Sequence, residues 1–310
     1  MQSDTQNRRI RERHDARTGW AFMAPFFIMF LLVFAVPICV AIYQSFFRQV
    51  ASGGGLYGGG ELTNQFVGLD NFAMVITSGD FWTGMGRVVV YAAFQIPFMI
   101  ISALVLALVL DSFLIRRVGF FRLTYFLPFA IPGIVAAMVW LYIYTPELSP
   151  IVKFFDSFGI HVDFMAPGAP ILASMANMTT WTYTGYNMLI FLAALQAIPH
   201  ELYEAARLDG ATSWQIVRQI KVPMVSSAAL LAVLLSIIGT IQLFNEPAVM
   251  YSSNRWMGNA YTPMMMAYNT MFGQISPGGD GPASAISIVM ALVAGGLAVI
   301  YALLQRKTVR

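Results

Sequence analysis

The chain of 310 residues is 58% hydrophobic and 11% charged, with a mean hydropathy of +0.66, whereas soluble domains carry roughly 25% charged residues. That balance excludes a water-soluble globular domain and a disordered chain, and it places the protein in a bilayer. One cysteine, Cys39, excludes an internal disulfide framework and a thiolate zinc cluster, and the net charge of +3 gains meaning only once the charges are placed.

Crossing a hydrocarbon core of about 30 Å takes roughly 20 helical residues. Six apolar runs suffice: Trp20–Phe47, Val88–Leu110, Leu123–Thr145, Ala169–Leu195, Pro223–Asn245 and Ala283–Leu304. The first follows Arg8, Arg9, Arg11, Arg13 and Arg17 but is too long for the ~7–15-residue apolar core of a signal peptide. It is therefore read as a span behind a tail over residues 1–19.

The basic residues orient these spans. The tail, Arg116, Arg117 and Arg122, then Arg207, Arg218 and Lys221, and finally Arg306, Lys307 and Arg310 fall on one side, leaving Arg48, Arg87, Lys153 and Arg255 on the other. The positive-inside rule then puts both termini in the cytoplasm, which an even number of spans requires. The outer connections, roughly Arg48–Arg87, Pro146–Gly168 and Glu246–Pro282, are long and rich in Gly, Asn and Pro, and suit a partner docking from outside. The clusters Gly53-Gly54-Gly55 and Gly58-Gly59-Gly60 read as loop rather than as a phosphate cradle.

Several chemistries are missing. None of the lysines Lys153, Lys221 and Lys307 follows a glycine, so there is no P-loop for ATP. His14, His161 and His200 are scattered and no metal-ligand spacing occurs, so no metal site is expected. All 15 acidic residues are read as lying in tails, loops or span ends, with Asp111 and Glu246 nearest to lipid. That weakens a proton-coupled carrier, because carboxylates inside the membrane mark coupling sites. Sodium held by backbone carbonyls at a broken helix stays open.

Between the fourth and fifth spans, residues 196–222 form a cytoplasmic loop that reads as helix, turn, helix. Pro199 suits a first helical turn, Asp209-Gly210 is a break, and Thr212 or Ser213 can cap a second helix with Ile216, Val217 and Ile220 on one face. The run Glu204-Ala205-Ala206, then Asp209-Gly210-Ala211 and Trp214, is similar to the EAA motif of ABC importer permeases. In that family the motif is the coupling helix that seats in the ATPase, so the resemblance implies ATPase contacts at Glu204, Ala205, Ala206, Asp209, Gly210, Ala211 and Trp214.

The resemblance covers nearly the whole chain and looks most like the carbohydrate-uptake, MalF-like branch. Ala24-Pro25, Val36-Pro37-Ile38 and Gln44-Ser45-Phe46 resemble the first span of that branch, and Phe244-Asn245-Glu246-Pro247 a stretch after its fifth. Ser227, where many relatives have proline, and Arg87-Val88, where Asn-Thr is frequent, depart from it. The resemblance implies an all-helical, type I importer permease of six spans, a single domain over 1–310, in a bacterial or archaeal cytoplasmic (inner) membrane. It further implies a non-enzyme with no cofactor of its own, ATP being bound by a partner ATPase dimer. Its other implied partners are a second, MalG-like permease, an external solute-binding protein, a sugar and membrane lipid, with no nucleic acid.

The fourth run carries a polar belt, and at helical spacing Asn177, Thr180, Trp181, Thr184 and Asn187 share a face. Polar groups at that depth face protein or a water-filled cavity. An aromatic ring beside neutral hydrogen-bonding groups suits a sugar path, and polar contacts gluing helices together are the other reading. A sodium-coupled carrier, or an importer permease for a non-sugar solute, is the alternative function.

Overall fold

The structure is a computed structural model, and it describes residues 18–52, 61–112 and 115–308. The basic segment through Arg17, both glycine clusters and Arg310 lie outside the described residues. The first helix, α1, runs over Thr18–Gln44. Pro37 has no N–H to give the Val33 carbonyl, and the helix widens into a π turn at Leu31–Ala35. Phe47, expected inside this span, begins a strand instead.

Strands β1 (Phe47–Ser52) and β2 (Glu61–Phe66) pair antiparallel with Phe47 opposite Phe66 and Ser52 opposite Glu61, so the expectation of an all-helical chain fails at this hairpin. Asn71, fully buried, anchors it: its side-chain amide donates to the Ser45 and Phe47 carbonyls, each at 2.8 Å, and accepts from Arg48 Nε at 3.0 Å. Asn71 lies on α2 (Asp70–Thr77). The long α3 (Gly79–Leu110) follows, its start set by the Ser78 hydroxyl accepting from the Phe81 N–H.

The third run is not one straight span. Helix α4 (Val118–Phe126), extended by a 3₁₀ turn to Ala130, meets α5 (Gly133–Tyr144) at 95°. Pro132 explains the break, because its ring forces Ile131 into extended backbone, ψ 130°, and a helix cannot continue through it. After α6 (Pro150–Ser157), α7 (Ala169–Gln196) carries the polar belt, and α3 and α7 form the most extensive helix pair. The loop follows as α8 (His200–Leu208) and α9 (Ser213–Ile216). Helices α10 (Ser226–Ile241) and α11 (Asn245–Ser253) form one apolar stretch interrupted at 242–244. Then come α12 (Pro263–Met271) and α13 (Asp280–Thr308).

Among the described residues, four stretches can cross a membrane by length and composition, Thr18–Gln44, Gly79–Leu110, Ser226–Ser253 and Asp280–Leu303, and a fifth if the bent pair counts as one. Helix α7 is not among them. Their outward faces carry large exposed apolar side chains, such as Phe22 at 82%, as lipid-facing helices should. Arg87 is structural: it donates to the Tyr261 carbonyl at 3.1 Å and lies 4.4 Å over that ring.

Gly185 on α7 lies so close to α4 that a methyl group there would overlap the Tyr125 carbonyl. Gly185→Ala is expected to lower the protein's stability by about 1–3 kcal/mol, as overpacking does, read as a drop in melting temperature in detergent. Gly239→Ala, which meets no atom within 4 Å, should leave it unchanged.

Candidate functional site: a polar cavity and an exposed loop

Helices α3, α7 and α10, the 242–244 interruption and the start of α11 enclose a cavity of about 240 Å³. From α3 it takes Tyr91, Gln95 and Met99, from α7 Thr179, Tyr183, Tyr186 and Asn187, and from α10 Ser236 and Thr240. The interruption adds Gln242, and the start of α11 adds Asn245 and Glu246. Among the described residues no lysine, arginine or histidine lines it.

The polar groups are organised around one carboxylate. Tyr91, 2% exposed, donates its hydroxyl to Thr179 Oγ1 at 2.6 Å, and Thr179 donates to Glu246 Oε1 at 2.8 Å. Glu246 sits in the first turn of α11, where the free N–H groups of a helix start favour negative charge. The interruption is itself satisfied, since the buried Thr262 hydroxyl donates to the Leu243 carbonyl at 2.9 Å. Gln95 and Asn187 each offer amide hydrogens to the Met99 thioether, at 3.3 and 3.7 Å. Sulfur is a weak acceptor, so both amides can exchange it for a stronger oxygen partner.

The reading that every acid lies outside the spans is corrected here. Glu246 falls inside the apolar stretch Ser226–Ser253, because α11 extends that stretch beyond the expected end at Asn245.

Of the sequence-predicted path residues, Asn187 lines the cavity and the other four do not. Asn177 donates to the Tyr144 hydroxyl at 2.8 Å, and Trp181 meets Trp140 edge to face, so both turn toward α5. Thr184 bonds the Thr180 carbonyl within its own helix, and Thr180 is buried. The cavity-facing side of α7 is turned roughly 100° from the expected face. Its marks were legible only as partners: Gln95 was a lone amide in an apolar run and Glu246 a lone acid, and nothing in a single helix's spacing says which face meets them.

The loop is built on the expected residues. At the end of α8, Gly210 adopts φ +82°, its N–H bonds the Arg207 carbonyl at 3.0 Å, and the Ala211 N–H bonds the Ala206 carbonyl at 2.9 Å. This left-handed cap is what glycine supplies. Thr212 then closes a capping box with Gln215, accepting from its N–H at 3.3 Å while its own N–H donates to Gln215 Oε1 at 2.7 Å. The second helix is not regular throughout: Pro223 has no N–H to give the Gln219 carbonyl, and Val217–Lys221 is a π turn.

Glu204, Ala205, Asp209 and Gly210 are exposed, Ala206 and Ala211 half-buried, and Trp214 is 70% exposed. Leu208, not singled out from sequence, is 89% exposed beside them, and an apolar pair projecting from a polar turn is an unfilled contact surface. Among the described residues no cluster of His, Cys, Asp or Glu could hold a metal.

Residues 99–310 match the binding-protein-dependent transport system inner membrane component family, and the chain belongs to it. It is the membrane-embedded permease subunit of an ABC importer. It is 29% identical over 246 residues to the lactose transport system permease protein LacF of Rhizobium radiobacter, covering 78% of each chain. With the arabinooligosaccharides transport system permease protein AraP of Bacillus subtilis it shares 29% over 283 residues, 88% of this chain and 84% of that one. It also shares 31% over 208 residues, 66% and 68% of the two chains, with the sn-glycerol-3-phosphate permease protein UgpA of Agrobacterium fabrum. The fold is that of a bacterial ABC transporter involved in import of the acidic polysaccharide alginate, with TM-score 0.75, 19% identity and coverage of 97% and 100%.

The sequence argued against a proton-coupled carrier from missing intramembrane acids, and Glu246 removes that ground. Family membership now stands in its place.

The cap makes a sharp prediction. A Cβ at Gly210 meets no neighbour within 4 Å, so Gly210→Val strains the backbone at positive φ rather than colliding with anything. A cost of about 1–2 kcal/mol should unwind the loop locally, read as faster amide exchange over 205–216 with unchanged membrane insertion. Gly210→Asn, which tolerates this conformation, should be much milder.

Proposed function

We propose that this permease carries an uncharged sugar or oligosaccharide through the cavity around Glu246, driven by a partner ATPase. The carrying observation is the lining: one carboxylate, four amides, tyrosine rings and hydroxyls, with no cation among the described residues. A carboxylate and amides accept and donate to several hydroxyls at once while a tyrosine face packs on the apolar side of a sugar ring. An anionic solute would meet Glu246 without compensation. This separates the chain from the glycerol-3-phosphate and alginate systems among its relatives and favours solutes like those of the lactose and arabinooligosaccharide systems.

The remaining assembly follows the family. The chain binds no cofactor, and ATP sits on a cytoplasmic ATPase dimer that seats the loop from Glu204 to Trp214, with Leu208 added to that surface. A second permease subunit completes the pathway, and an external solute-binding protein delivers the solute. Helix α7 counts as the remaining span because its polar centre is covered by α3 and α5, giving six spans with both termini in the cytoplasm of a bacterial or archaeal inner membrane. The single domain spans the whole chain.

Glu246→Ala should reduce sugar uptake about tenfold, since a buried hydrogen-bonding group left without its partner costs about 1–3 kcal/mol, while Glu246→Gln, which keeps an acceptor oxygen there, retains most of it. Uptake assays on membranes with matched protein levels decide this, and equal uptake in all three proteins places the path elsewhere. Topology is checked by labelling single cysteines in a Cys39→Ser background: Thr63→Cys should react from outside and Trp214→Cys only from inside.

A further inference from the structure

Beyond Met99, α3 continues to Leu110 and ends level with the end of α7 at Gln196, and there a second, larger cavity of about 850 Å³ opens beneath the loop. One wall is apolar, with Leu108, Leu110 and Ile115, and the other is basic, with Arg122, Arg207 and Lys221. Lys221 is already engaged, 2.6 Å from Asp111 and over the Tyr203 ring. The two arginines are not: Arg122 Nε is buried without a hydrogen-bond partner, and Arg207 makes no ion pair among the described residues.

The Tyr203 hydroxyl is likewise buried and unpartnered. Burial and the facing Asp111 carboxylate raise this phenol above its ordinary range, so it keeps its proton as a donor. Buried polar atoms are normally paired, and the two unpartnered buried donors, joined by the exposed Arg207, line one cavity and call for one acceptor-rich anion. A guanidinium fork matches a phosphate. The place points to the source of that phosphate: the cavity is lined by the last residues of α3 and α7, where two long apolar helices end, and Leu108, Leu110 and Leu195 of those helices contribute to it.

We propose that this cavity binds the phosphate headgroup of an anionic membrane phospholipid, held by Arg122, Arg207 and Tyr203, with its first acyl carbons along Leu108, Leu110 and Ile115. Because the site is walled by α8 and α9, an occupied site braces the loop against the membrane helices. The site is independent of which solute is carried.

The permease, purified with its copurifying subunits from nanodiscs containing equal phosphatidylglycerol and phosphatidylcholine, is assayed for retained lipid by mass spectrometry. Wild type is expected to retain the anionic lipid about fivefold over the neutral one, undisturbed by millimolar inorganic phosphate. Arg207→Gln, on an exposed position where folding is not at stake, should bring the ratio close to one, and Arg122→Gln should do the same. Equal retention in wild type, an unchanged preference in Arg207→Gln, or displacement by free phosphate overturns the proposal. So does loss of the ATPase from Arg207→Gln with the lipid ratio intact, which would assign these cations to the protein partner.

Discussion

A carboxylate inside an apolar stretch has to be paired, and the way Glu246 is paired fixes the centre of this protein. The relay from Tyr91 through Thr179 to Glu246 joins α3, α7 and α11 within two hydrogen bonds of 2.6 and 2.8 Å. It does so where the backbone ladder between α10 and α11 is interrupted. An interruption exposed to lipid would leave carbonyls and amides unsatisfied at several kcal/mol each. Here the Leu243 carbonyl is taken by Thr262, and the rest lines a polar cavity. The broken helix, the buried acid and the cavity are one solution to one constraint.

Proline imposes the other irregularities. Pro37 and Pro223 each follow a π turn that begins six residues earlier and ends two residues earlier, the same local answer to a missing N–H. Pro132 gives the larger effect, because the chain turns by 95° there and packs Trp140 and Tyr144 of α5 against the polar belt of α7. The belt therefore serves two neighbours. Asn177 and Trp181 meet α5, while Thr179, Tyr183 and Asn187 meet the cavity.

How much of this could be read from the sequence follows from the range of each interaction. The helices were legible because apolar runs are local, and so was the loop, whose Gly210 cap and Thr212 capping box depend on residues a few positions apart. The bend at Pro132 was encoded just as locally, but hydropathy averages over it. The hairpin went unread because the residue that anchors its first strand, Asn71, reaches back more than twenty residues to Ser45 and Phe47. The orientation of α7 was out of reach for the same reason: both faces are polar, and only Tyr91 and Glu246, distant in sequence, say which one is the cavity side.

The two ends of the protein are mechanically one object. Each helix lining the cavity runs to the loop: α7 enters it through Ile198-Pro199, α10 leaves it after the π turn, and α3 is tied to it by Asp111 with Lys221 at 2.6 Å. From Asn187 to the end of α7 is nine residues of regular helix, about 14 Å at 1.5 Å per residue. A helix that short does not absorb a displacement applied at its end. The soft points are the π turn at Val217–Lys221 and the gap at 242–244, both on the α10 side, while α3 and α7 are packed along their length. A force applied at Glu204 to Trp214 would therefore be taken up on the α10 side, at the surface that carries Ser236, Thr240 and, across the gap, Glu246.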